Sequence, residues 1–95
     1  MKTHIFTEHD LASRTKARGL RSLLFQDLEA AGIVELDFKN VRSISDSFAD
    51  ELFGILAARH GVENLASKVK IENASRQLLL VIASNIQNRT QNVTH

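Results

Sequence analysis

Between positions 45 and 51 the chain sets two hydroxyls and three carboxylates side by side, as Ser45, Asp46, Ser47, Phe48, Ala49, Asp50 and Glu51. Ser47 followed three residues later by Asp50 is a pattern close to a capping box, in which a serine oxygen accepts from a backbone N–H at the start of a helix. Asp50 and Glu51 in a first helical turn also suit the positive end of the helix dipole. Two readings of Ser47 are open. It is a cap, a role worth about 1 kcal/mol, or it belongs to a site, since in α/β sheets sites form where a helix starts beyond a strand's carboxyl end. On the second reading Ser45, Asp46 and Ser47 form a contact surface for a partner, with Asp50 and Glu51 on its rim.

A second group of residues is cationic. Arg14, Arg18 and Arg21 share one flank of a helix, beside its apolar stripe and above Phe25. Like charges at i,i+4 cost a few tenths of a kcal/mol, so the stripe invites an anion: a phosphate-bearing ligand, nucleic acid or an acidic protein surface. The alternatives are a solvated face, a pair between Asp10 and Arg14, or pairing with Asp46 and Glu51 across the fold. The histidines His4, His9, His60 and His95 show neither i,i+3 nor i,i+4 spacing, so no metal site is expected. A triad of Ser47, a histidine and Asp37 lacks the Gly-x-Ser-x-Gly turn that would expose the nucleophile. No phosphate-cradling glycine pattern occurs, and cysteine is absent, which excludes disulfides and thiolate chemistry. The expectation is a protein without catalytic residues, cofactor or metal.

Composition narrows the class further. The 95 residues suit one domain spanning 1–95, with 43% apolar and 24% charged residues and a formal net charge of +1. Neither tryptophan nor tyrosine is present, and five phenylalanines are too few for a base-stacking platform. The near-zero charge gives no general pull toward nucleic acid or membrane. Charge is nevertheless segregated: residues 1–26 and 54–95 are basic, and residues 27–53 are acidic. The longest apolar run, Leu78 to Ala83, is too short to cross a bilayer, and Met1-Lys2-Thr3-His4 does not lead into a signal-peptide core. A soluble cytoplasmic protein is expected.

These residues are positioned by a predicted order β-α-β-α-β-α, a small α/β layer structure with a short, mostly parallel sheet of about three to four strands and three or more helices. Thr3 to Phe6 is extended. Asp10 caps a helix to about Ala31, with Ala17, Leu20, Leu24, Leu28 and Ala31 inward, Gly19 marking close packing or a kink, and Gly32 closing it. Ile33 to Phe38 is a strand facing the core through Val34, Leu36 and Phe38. Residues 39–46 are a loop. A buried helix runs from about Phe48 to His60 and is closed by Gly61. Lys68 to Glu72 is a strand with one wet face, suited to an edge. Asn73 caps a helix to about Arg89 with Leu79, Ile82, Ala83 and Ile86 inward, and residues 90–95 are a frayed tail. Leu78, Leu80 and Val81 widen that helix's apolar face, which fits either a wedged helix or a homodimer contact.

The run from Val34 to Phe48 resembles the core signature of STAS domains: a hydrophobic strand ending in Asp-hydrophobic, a short loop with Val, then Asp-Ser-Ser-Gly opening a helix. The STAS-like family of unknown function is closer still. Its Asp-Phe strand end, Ser-Phe-Ala-Asp-Glu helix start and early Ser-Arg pair stand here as Asp37-Phe38, Ser47 to Glu51 and Ser13-Arg14. The resemblance covers about residues 4–89. It implies a small α/β domain that binds proteins and has no enzymatic centre. In anti-sigma factor antagonists such domains bind a kinase-like ATPase, which phosphorylates the serine preceding the glycine; by position that serine is Ser47. Phe48 stands where the signature has glycine, and Ser45 where it has aspartate. The resemblance therefore implies a regulatory partner, such as a kinase-like ATPase or anti-sigma-type regulator. A nucleic-acid-associated module built on Arg14, Arg18 and Arg21 is the alternative.

Overall fold

A computed structural model describes residues 2–91. Three parallel strands, β1 (Lys2–Ile5), β3 (Val34–Asp37) and β5 (Val69–Glu72), form a sheet in the order β1-β3-β5. Thr3 lies opposite Glu35, and Glu35 opposite Lys70. A shorter parallel pair joins β2 (Asp10–Leu11) to β4 (Ser43–Ile44). The helices are α1 (Arg14–Ala31), α2 (Asp46–Ala49), α3 (Ile55–His60), α4 (Val62–Lys68) and α5 (Arg76–Gln91). Between α2 and α3 runs a π-helical turn, Asp50–Gly54, so that the three form one continuous helical stretch. The expected α/β architecture with a small parallel sheet is present. The tail from Thr90 is helical as far as Gln91, and residues 92–95 lie outside the described ones.

Alternation along β3 sends Val34 and Leu36 into the core, with Phe38 following, while Glu35 and Asp37 face the other side. The phenylalanines continue the core from sheet to helix. Phe6 and Phe38 have ring centroids 4.8 Å apart, Phe6 and Phe48 6.5 Å, and Phe38 and Phe53 6.4 Å, spacings at which aromatic pairs attract beyond their buried area. The opposite sheet face is polar: Thr3 donates to Glu35 at 3.0 Å, and the Asp37 carboxylate accepts from Asn73 Nδ2 at 3.0 Å and from the Lys39 amide at 2.9 Å. The Asn73 hydrogen bond, then the Lys39 amide, holds the Asp37 carboxyl below its ordinary range. β5 is an edge strand, as its one-sided alternation anticipates.

All three long-helix starts differ from expectation, and each time the cap is a serine. Ser13, not Asp10, caps α1, its Oγ accepting from the Lys16 amide at 3.2 Å; Asp10 is committed to β2 and accepts the Ser43 hydroxyl at 2.6 Å. Ser45, not Ser47, caps α2, accepting from the Phe48 amide at 3.1 Å. Ser75 Oγ accepts from the Leu78 amide at 3.2 Å at the start of α5, because Asn73 takes a left-handed backbone (φ 58°) and turns its amide to Asp37. Of the expected inward residues of α5, Ile82 and Ile86 pack on the core. Leu78, Ile82 and Asn85 are buried, whereas Leu79 and Ala83 are exposed and Leu80 faces outward.

Three further expectations change. The loop 39–46 contains β4 and the first residue of α2. Ala31 lies outside the buried stripe of α1. Gly19 marks neither close packing nor a required conformation, since a Cβ there would meet nothing within 4 Å. The tight glycine is Gly54 in the π turn, where a Cβ would fall 2.7 Å from Asp50 Oδ1 and 3.3 Å from the Asn85 carbonyl oxygen. Gly32 closes α1 as expected, at φ 82° with its N–H on the Leu28 carbonyl. Among the described residues no helix is long and apolar enough to cross a membrane.

Candidate functional site

The first turn of α2 projects from the end of β4. Ser45 is held on three sides: its amide donates to the Leu11 carbonyl at 2.8 Å, its hydroxyl to the Ala12 carbonyl at 3.3 Å, and its oxygen caps Phe48. Asp46 is exposed, yet its Oδ1 accepts from Asn85 Nδ2 at 2.9 Å. Ser47 is exposed, and among the described residues its hydroxyl has no hydrogen-bond partner. Phe48 turns inward and is buried, which accounts for a large apolar residue where the STAS signature has glycine.

Asp50 and Glu51 do not lie on an exposed rim. The π turn, in which the Ile55 amide reaches back to the Asp50 carbonyl, carries both into the seam between α1 and α5. Glu51 is only 5% exposed. Its Oε1 accepts from Arg14 Nη1 at 2.8 Å, its Oε2 from Arg21 Nη1 at 2.5 Å, and its backbone carbonyl from the same Arg21 nitrogen at 2.8 Å; Arg18 Nε stands 3.7 Å from Oε2. Asp50 receives the two-pronged fork of Arg89, Nε to Oδ1 at 3.0 Å and Nη2 to Oδ2 at 2.5 Å, with Arg14 at 3.6 Å. The sequence-predicted arginine stripe thus meets an anion, and that anion is the chain's own Glu51. The Arg14 hydrogen bond, followed by that of Arg21, holds the Glu51 carboxyl below its ordinary range; Arg89, then Arg14, does the same for Asp50.

Two participants escape sequence reading. Asn85 and Arg89 look like surface residues of α5, and only their spacing with Leu78 and Ile82 on one face hints that they point inward. The histidines are dispersed. His9 Nδ1 is 2.9 Å from the Asn40 carbonyl oxygen, His4 meets the Phe6 ring, and His60 packs against Phe25 with its Nε2 buried and unpartnered. Among the described residues none of them touches Ser47 or Asp37.

Two of the three stretches on which the resemblance rests, Ser13-Arg14 and Ser47 to Glu51, are joined by the Arg14–Glu51 ion pair. No curated protein and no solved structure matches the chain. The sequence pattern of a STAS-like domain of unknown function matches residues 17–78, which run from the fourth residue of α1 through β3, β4, the α2–α3 stretch, α4 and β5 to the start of α5. With about two-thirds of its length matched, including the central strand β3, the edge strand β5 and both seam carboxylates, the chain belongs to this STAS-like family.

Proposed function

We propose that the protein is a non-enzymatic regulatory module that binds a partner protein through the exposed first turn of α2, at Asp46 and Ser47, and that a phosphate on Ser47 switches this contact. The observation that carries the reading is the division of labour between two serines. Ser45 caps the helix and anchors it to β2, so Ser47 is exposed and uncommitted. Membership of the STAS-like family supports an interaction role, and the antagonist domains that share the signature suggest a kinase-like ATPase as partner. In that reaction Ser47 Oγ bonds to the γ-phosphorus of the partner's ATP, the β–γ bridging bond breaks, and ADP and the hydroxyl proton depart. About two negative charges added to the contact surface would oppose docking through repulsion and desolvation.

The absence of an enzymatic role is part of the proposal. Asp50 and Glu51 are ionised and enclosed by guanidinium groups, an arrangement that clamps helices and leaves neither carboxylate poised to exchange protons. Arg21 is enclosed by Glu51, so at most two arginines of the stripe face solvent, and no base-stacking aromatic set accompanies them, which counts against the nucleic-acid reading.

The test is paired capture from native lysate with wild-type, Ser47→Asp and Ser47→Ala protein, together with labelling by γ-phosphate-labelled ATP. A protein held by wild type and Ser47→Ala but released by Ser47→Asp, with label absent only from Ser47→Ala among non-acidic baits, is the expected outcome. A partner held equally by all three overturns the switch.

A further inference from the structure

Each carboxylate of the seam has a guanidinium of its own. Arg21, whose side chain is 14% exposed, serves Glu51 through both a carboxylate oxygen and the backbone carbonyl. Arg89 serves Asp50 with its fork. Arg14, which also holds Glu51 Oε1, and Arg18 are the solvent-facing pair. Their side chains are 45% and 61% exposed, and Arg18 reaches Glu51 only at 3.7 Å. Arg14 Nη1 bridges the two acids, at 2.8 Å from Glu51 and 3.6 Å from Asp50.

That bridging fixes its direction. On a helix, residues at i+3 and i+4 flank residue i on one face, with Cβ atoms about 5–6 Å away. Asp50 and Glu51 are i+3 and i+4 from Ser47. A group spanning both therefore stands on the stripe that Ser47 heads, one turn along. The charges facing this stripe are Asp46 and the pair Asp50 and Glu51 against Arg14, Arg18, Arg21 and Arg89, so the cations are in excess.

Taking Ser47 as the modified residue, as proposed above, we infer that Arg14 and Arg18 form a receiving site for its phosphate, turning from the seam to the phosphoryl oxygens while Arg21 and Arg89 keep both carboxylates paired. Guanidinium binds phosphate through parallel N–H···O bonds. The like-charge obstacle that Asp46 and Asp50 present to a phosphate is thereby offset. Phosphorylation then re-aims two exposed arginines and changes the surface without opening the buried seam.

The test uses full-length protein with phosphoserine installed at position 47, with the second ionisation of the phosphate followed by phosphorus NMR. The same protein in denaturant is the reference, titrating at about 6. In the folded protein the midpoint is expected about one unit lower, since nearby cations favour the dianion. Arg18→Gln should recover part of that shift, and Arg14→Gln with Arg18→Gln all of it; Arg59→Gln, on α3, should recover none. Arg18→Gln touches only the exposed, distant contact, so its result stands even if the double variant is unstable. A folded-state midpoint at or above the reference, or a lowered one that survives removal of both arginines, overturns the inference. This titration reads the chain's own phosphate. A partner indifferent to Ser47→Asp would defeat the proposed switch and leave this result intact, and the reverse also holds.

Discussion

Ser47 and Glu51 lie one turn apart on the same helical stretch, and their circumstances are opposite. Around Ser47 the chain commits almost nothing: one exposed hydroxyl without a partner among the described residues, beside an aspartate held by a single amide. Around Glu51 it commits three arginines, a π turn and a glycine that lets α5 approach. The difference teaches that the acidic run of residues 46–51 is two structures. Its first turn is free surface, open to a partner or a modification at little cost to the fold. Its second turn is a clamp that ties α1 and α5 to the helix between them.

The contrast is broken most severely at Glu51. Glu51→Gln leaves Arg21 largely buried without its counter-charge, and a loss of about 3 kcal/mol is expected in denaturant unfolding. The same pair sets the response to acid. Because the carboxyls of Glu51 and Asp50 are lowered in the folded state, their contribution is present above the unfolded-chain values of about 4. It is lost as pH falls through the lower folded-state values. Melting temperature should be flat toward pH 5 and drop below about pH 4, with a shallower drop in Glu51→Gln.

Gly54→Ala forces a methyl against Asp50 Oδ1 and the Asn85 carbonyl. It should cost about 2 kcal/mol, outweighing the usual helical gain of alanine. Ser45→Ala removes a cap and should cost about 1 kcal/mol. Gly19→Ala sharpens the comparison from the other side: in open space within α1 it should stabilise by up to about 1 kcal/mol. Ser47→Ala should change stability least, by less than about 0.5 kcal/mol in the same assay. A cost at Ser47 equal to that at Ser45 would return it to a structural role.

Much of this arrangement is legible in the sequence. The apolar alternation of Val34, Leu36 and Phe38 announces the central strand, and Gly32 and Gly61 announce helix ends at positive φ. Pairing of the arginine stripe with Glu51 is one of the options that segregated charge allows. The caps are misread because Asp10, Ser47 and Asn73 are as well suited as the serines actually used; the choice depends on distant partners such as Ser43 for Asp10 and Asp37 for Asn73. The π turn has no local signature. Neither has the inward turn of Asn85 and Arg89, whose reason for being inside is a carboxylate nearly forty residues away, with |i−j|=39 in both contacts.

The all-parallel sheet carries a consequence for how the chain acquires its structure. Among the described residues no strand pairs with its sequence neighbour through a tight turn. The Thr3–Glu35 contact alone closes a separation of 32 residues, with the whole of α1 between them. Closing such separations costs loop entropy before any strand contact is made, so folding should be slower than that of a helical bundle of this size. During synthesis the N-terminal strand has nothing to pair with until β3 emerges, and β3 keeps an open edge until β5 follows. The stretch between those two moments is when the nascent chain is most exposed to pairing with another copy of itself.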